Sequence, residues 1–240
     1  MSAARSRILV PAILLLLVAV VVAALLVGRG GGEEDAAPAE PTGSPTATRE
    51  ADGATAQPAD AAAAPDLTRR LEGDPMAAGP VDAPVGVVVY SDYSCPYCRQ
   101  WVEETQPTLL EYAEAGAVRL EWRDVSILGD DSTRAAIAAA AAAEQGAYQE
   151  FHGRLFADME ARSPEQLEAI AAELGLDVEQ FTADLTGTAV LTTVQRNIEE
   201  SRAVGLSSTP SFVVGGTPVV GAQPTEVFVQ VIEQHLAAAG

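Results

Sequence analysis

No cysteine occurs before residue 95, no lysine occurs anywhere, and histidine appears only twice in the 240 residues. The first absence excludes a lipid-modified N-terminal cysteine. The scarcity of cations leaves 14 of them against 34 acids, a formal charge of −20, so nucleic acid is not expected as a partner and an anionic lipid surface would be repelled. Zinc would need two good ligands besides the two cysteines. His152 and His235 lie far apart in sequence, each within a helical stripe, so no metal and no other cofactor is expected. From Gly28 to Asp66 there is no Val, Ile, Leu, Met, Phe, Tyr or Trp, and such a stretch cannot bury enough apolar area to offset its ordering entropy.

What is present before that stretch is an apolar run from Ile8 to Val27, long enough to cross a bilayer as one helix, preceded by Arg5 and Arg7. A cleaved signal peptide would have a shorter apolar core ending in a small-x-small site, whereas here Leu25-Leu26-Val27 continues past Ala23-Ala24. The expected organisation is therefore a cytoplasmic N-terminus (1–7), a single membrane anchor (8–28), a disordered Pro/Ala/acidic linker (29–65) and one domain from 66 to 240 on the far side of the membrane. Pro38, Pro41, Pro45, Pro58 and Pro65 would keep the linker extended beyond the about 30 to 40 Å of a flexible coil of that length. The domain carries 10 arginines against 27 acids, about −17 of the total, and is large enough to bury a core unaided.

Within the domain, Gly86-Val87-Val88-Val89-Tyr90 reads as a strand buried on both faces. Trp101, Leu109, Leu110 and Tyr112 follow at helical spacing until Gly116. Val118, Leu120 and Trp122 then alternate with Arg119, Glu121 and Arg123 as a second strand, parallel to the first through a right-handed crossover. Residues 131 to 203 read as a helical block, with Asp131 or Ser132 capping an alanine-rich helix, a stripe of Phe151, Leu155, Phe156 and Met159, and a capping box at Ser163. Phe212-Val213-Val214 and Pro218-Val219-Val220 flank Gly215-Gly216 as a hairpin, and an amphipathic helix closes the chain.

The two cysteines form Cys95-Pro96-Tyr97-Cys98 between the first strand and the first helix. A sulfur at a helix N-terminus faces unpaired amides and the positive end of the macrodipole, which favours thiolate, the form that attacks a disulfide. A purely structural bridge over so few residues would stabilise little. The order of elements, with Tyr90-Ser91-Asp92-Tyr93-Ser94 before the dithiol, Gly205-Leu206-Ser207-Ser208-Thr209-Pro210-Ser211-Phe212 before the hairpin and Gly221-Ala222-Gln223-Pro224 after it, resembles the DsbA-like thiol-disulfide oxidoreductases of the thioredoxin superfamily.

That resemblance implies an α/β thioredoxin-like fold with a helical insertion at about 130–203. It makes Cys95 the exposed nucleophile, Cys98 its buried partner and Pro210 a cis-proline facing the dithiol, with Thr209 offering its backbone to an extended substrate and Pro96 and Tyr97 supporting the site. Strongly oxidising members have histidine in place of Tyr97. The buried acid many thioredoxin-like enzymes keep beneath the resolving cysteine is replaced by Val89, and Asp92 is left either to tune the dithiol or to stabilise a turn. Trp101 and Tyr93 are expected in the core or groove wall. The activity implied is oxidation of thiol-containing secreted or envelope proteins outside the bacterial cytoplasmic membrane. Re-oxidation would fall to a DsbB-like or VKOR-like membrane partner, and the catalytic domain would be monomeric. A reductase or isomerase, or a redox-inactive chaperone, is the alternative. An isomerase would need a dimerisation module, and the region before Leu67 is too polar to be one.

Overall fold

A computed structural model describes residues 66–239. The expected anchor at 8–28 and linker at 29–65 lie outside these residues; among those described, no helix is long and apolar enough to cross a membrane. The elements in order are β1 (Ala77–Ala78), β2 (Val85–Ser91), α1 (Pro96–Glu104), α2 (Gln106–Glu114), β3 (Val118–Asp124), α3 (Asp130–Glu144), α4 (Tyr148–Ala157), α5 (Pro164–Glu173), α6 (Val178–Asp184), α7 (Thr188–Ala203), β4 (Ser211–Val214), β5 (Thr217–Val220) and α8 (Thr225–Ala239). The five strands lie in the order β1-β3-β2-β4-β5, with β2 and β3 parallel and every other pair antiparallel. This is the thioredoxin-like α/β arrangement with α3 to α7 inserted between β3 and β4.

The central strands bury both faces. Val85, Val87 and Val89 join the main core with Trp101, Trp122, Phe212 and Phe228, while Val88, Tyr90 and Val125 form a smaller cluster on the second face with Leu67 and Leu206 against it. The hairpin turn takes positive φ at both Gly215 (56°) and Gly216 (89°), the conformation that matches the twist of a tight β-hairpin.

One expectation needs correction. The single helix read between Pro96 and Gly116 is two, broken at Thr105. Pro107 has no N–H for the carbonyl four residues back, and its ring crowds that turn, so the helix stops and restarts. On β3, Arg119, Glu121 and Arg123 are as buried as the apolar residues between them. Arg123 pairs with Glu121 at 2.6 Å and with Glu200 of α7 at 3.0 Å, and Glu200 also holds Arg69 at 2.6 Å. Glu121 further accepts the amides of Arg69 and Arg70, both at 2.8 Å.

Burial alone would raise the Glu121 carboxyl; these amides and the Arg123 guanidinium outweigh it and hold the group below its usual range. The N-terminal segment is thereby strapped over the second face. It passes so close to Gly86 that an added Cβ would lie 2.6 Å from Thr68 Cγ2.

Glu121→Ala leaves Arg123 buried beside a lost partner and should cost about 3–5 kcal/mol in urea unfolding. A loss under 1 kcal/mol would show that the strap is not load-carrying.

Candidate active site

Cys95 is the N-cap of α1 (φ −92°, ψ 116°), with Pro96 in the first turn, where its missing N–H costs nothing. Its carbonyl accepts the amides of Cys98 (3.1 Å) and Arg99 (3.2 Å), so its sulfur is set against the start of the helix. The Thr209–Pro210 peptide is cis, and the Cys95 thiol donates to the Thr209 carbonyl at 3.3 Å. Both cysteines carry free thiols.

The expectation of an exposed Cys95 is corrected by its position beneath that carbonyl: the residue is 5% exposed, Cys98 0%, and Tyr97 beside them 63%. Pro210 is buried and Thr209 half-buried. A reactant must therefore approach over Tyr97 and Thr209.

Ionisation separates the two sulfurs. Cys95 is drawn down from 9 to about 5, first by the hydrogen bond from the Cys98 thiol, which burial opposes, and then by Thr209 and the amides of Cys98 and Tyr97. Once ionised it gives up its bond to the Thr209 carbonyl and becomes an acceptor only. Burial pushes the Cys98 thiol far up, and the neighbouring Cys95 adds to that. One sulfur is thus a nucleophile at neutral pH and the other holds its proton.

Asp92 holds the loop in place. Its amide donates to Cys98 Sγ at 3.5 Å and its carbonyl accepts from the Cys95 amide at 3.0 Å. Carboxylate Oδ1 accepts from the Ser94 amide (2.8 Å) and Ser132 Oγ (2.5 Å), and Oδ2 from the amides of Ile127 (2.8 Å) and Leu128 (3.1 Å). The turn-stabilising role fits this geometry, and it reaches further than a local turn. Ser132 serves here and does not cap α3, whose N-cap is Gly129.

Val89 is fully buried and apolar. A buried acid nevertheless lies under the active-site loop, one strand over: Asp124 at the end of β3 in register with Ser91. It is not found along the nucleophile's own strand, where the family resemblance places such an acid and this chain has Val89. The signal available was a lone acid closing an otherwise core-facing run. Tyr93 and Tyr148 hydroxyls donate to Asp124 at 2.8 and 3.0 Å, and His152 Nδ1 is 2.9 Å from the Tyr93 oxygen. While Asp124 is ionised both hydroxyl protons go to the carboxylate, so Nδ1 is the donor and Nε2 is left as a bare lone pair, in keeping with its lack of a partner. Among the described residues no ion pair reaches Asp124, and the buried Arg162 touches the cluster only through the Tyr93 carbonyl, to which it donates at 3.0 Å. Burial raises Asp124 to about 7 against the two tyrosine hydrogen bonds, and burial pushes His152 down to about 3, so the histidine is neutral. Trp101 lies in the core against Phe212 at 5.0 Å. Among the described residues no group of three or more His, Cys, Asp or Glu could hold a metal ion.

Known proteins are similar to this chain. The family model described as Thioredoxin matches residues 71–234. The probable disulfide bond formation protein D of Bacillus anthracis is 31% identical over 151 residues, which are 58% of this chain and 68% of that relative. The Na(+)/H(+) antiporter NhaA 3 of Salinispora tropica is 35% identical over 140 residues, 58% of this chain; the chain spans about a fifth of such antiporters (21%). Among solved structures, a thioredoxin-like oxidoreductase from Silicibacter pomeroyi superposes with a TM-score of 0.61 at 32% identity, covering 67% of this chain and 91% of that one.

Two measurements check the site. The alkylation rate of Cys95 should reach half its plateau near pH 5, where an unperturbed thiol would do so near 8.5. Asp124 binds its proton more tightly folded than unfolded, so its contribution to stability is present below about pH 4 and is lost as pH rises to about 7. The stability of Asp124→Asn relative to the parent should therefore rise by a few kcal/mol across that window, read from urea unfolding at each pH. A pH-independent difference would show that the carboxyl is ionised throughout.

Proposed function

Because the chain belongs to the thioredoxin family, among its DsbA-like thiol-disulfide oxidoreductases, we propose that it oxidises thiols of secreted or envelope proteins through Cys95 and Cys98. The observation that carries this reading is the free Cys95 thiol at the N-terminus of α1, 3.3 Å from the Thr209 carbonyl before the cis Thr209–Pro210 bond, in surroundings that draw its pKa down to about 5.

In the oxidised enzyme a client thiolate attacks Cys95 Sγ. The Cys95–Cys98 bond breaks, and Cys98 leaves as a thiolate and takes up a proton. A second client thiolate then attacks the client sulfur of the mixed disulfide, forms the client's disulfide and expels Cys95 as thiolate. Two client thiols lose two electrons and the dithiol gains them. A low pKa makes Cys95 a good leaving group and stabilises the reduced enzyme, both of which favour oxidation of clients over reduction. The Thr209 backbone pairs with the client chain in strand fashion, which tolerates many sequences. Pro96 starts the helix that carries the dithiol, and Pro210 shapes the loop facing it.

Placement outside the cytoplasmic membrane, anchored by residues 8–28 through a linker at 29–65, accords with the apolar run after Arg5 and Arg7. A membrane redox partner, DsbB-like or VKOR-like, then accepts the electrons. The catalytic domain works as a monomer.

Equilibration with glutathione should give a potential near or somewhat above about −200 to −230 mV and below the roughly −120 mV of the strongest oxidants. A value near about −270 mV would make it a reductase. In cells, Cys98→Ala should accumulate mixed disulfides through Cys95, whereas Cys95→Ser should accumulate none and lose activity. Retention of function by Cys95→Ser would point to a chaperone.

A further inference from the structure

The second face of the sheet carries a groove of about 450 Å³ beside the cis-proline loop. Its floor is Tyr90, Val213 and Leu206, and its rim holds Val204 and Val220, which are 42% and 59% exposed. This is the face opposite α8: Phe212 and Val219 point to the main core, while Ser211, Val213, Pro218 and Val220 alternate to the groove side. Not one of its thirteen lining residues is charged, on a domain with 27 acids and 10 arginines. Two large aliphatic side chains left in water around an uncharged hollow mark a contact surface for an apolar group.

Continuity with the dithiol says whose group that is. Ser208 lines the groove and is bonded directly to Thr209, whose carbonyl lies 3.3 Å from Cys95 Sγ. Ser211 Oγ donates to the Ser208 carbonyl at 2.8 Å, which ties the loop to β4. A strand laid along Thr209 with its cysteine on Cys95 passes over Ser208 within one or two residues. The next side chain pointing inward enters the hollow. The outer edge of β5 pairs with no other strand among the described residues, so nothing there obstructs it.

We propose that this groove is a specificity site for the client polypeptide: it takes one uncharged aliphatic or aromatic side chain placed within a few residues of the reacting cysteine. The inference rests on the oxidoreductase reading above. The lack of charge rules against an acidic or basic side chain there, which would be desolvated without a partner.

The test uses the oxidised full-length chain with short peptides carrying one cysteine and either Leu or Ser two or three residues to one side of it, and glutathione as a probe too small to reach the groove. The Leu peptide should react with a kcat/KM about tenfold above the Ser peptide on one side of the cysteine only, the scale set by partial burial of one Leu side chain. Val220→Glu should abolish that preference and leave the glutathione rate and the melting temperature unchanged, and Val204→Glu should do the same.

Equal rates for the two peptides with a normal glutathione rate overturn the groove alone. So does a preference that survives both variants, or light scattering showing a dimer that Val220→Glu dissociates, since a second copy would then fill the site. Failure of glutathione and both peptides to reduce the Cys95–Cys98 bond would overturn the oxidoreductase reading itself and the specificity site with it.

Discussion

A buried carboxylate that accepts four hydrogen bonds holds the active site together. Among the described residues no ion pair reaches Asp92; its oxygens are matched by three amides and a serine hydroxyl. That is a costly group to bury, and it stays buried because every lone-pair direction is used. The amides come from two places distant in sequence, the dithiol loop and the segment leading into α3. Its own backbone meanwhile contacts both cysteines. The inserted helices and the dithiol are thus referred to one side chain, and a displacement of either is felt by the other.

The sheet divides its labour between two faces. On one, aromatic and aliphatic side chains pack beneath α1 and α8 and carry the redox helix. On the other, three arginines and two glutamates lock the N-terminal segment and α7 to β3, and the apolar groove opens beside them. The cationic excess of that cluster is satisfied by backbone carbonyls, as when Arg119 donates to those of Gly79 and Leu71. Such a network fixes one arrangement of the segment more than it adds net stability.

Much of this was legible from periodicity. The β-branched run became β2, the glycine pair became the hairpin turn, and Ser163 and Asp177 cap their helices as their sequences suggest. What the pattern hid were contacts between residues far apart in sequence. On β3 a period of two gives the strand but not what its charged side chains meet, because the partners Arg69 and Glu200 lie 52 and 79 positions away from Glu121. The Asp124 cluster was invisible for the same reason, since Tyr93, Tyr148 and His152 come together only when α4 packs under the active-site loop. Cys95 was placed correctly at the helix start, yet its shielding comes from Thr209, 114 residues on. Local chemistry was readable; tertiary partners were not.

The strap over Gly86 has a mechanical consequence. A tug transmitted down the polypeptide toward Asp66 arrives first at the twin amides seated on Glu121 and at the Arg69 guanidinium, all on the flank of the sheet away from the sulfur pair. From there it passes into β3, which is paired with both β1 and β2. A pull from that end is therefore met by these contacts before it reaches Cys95 and Cys98.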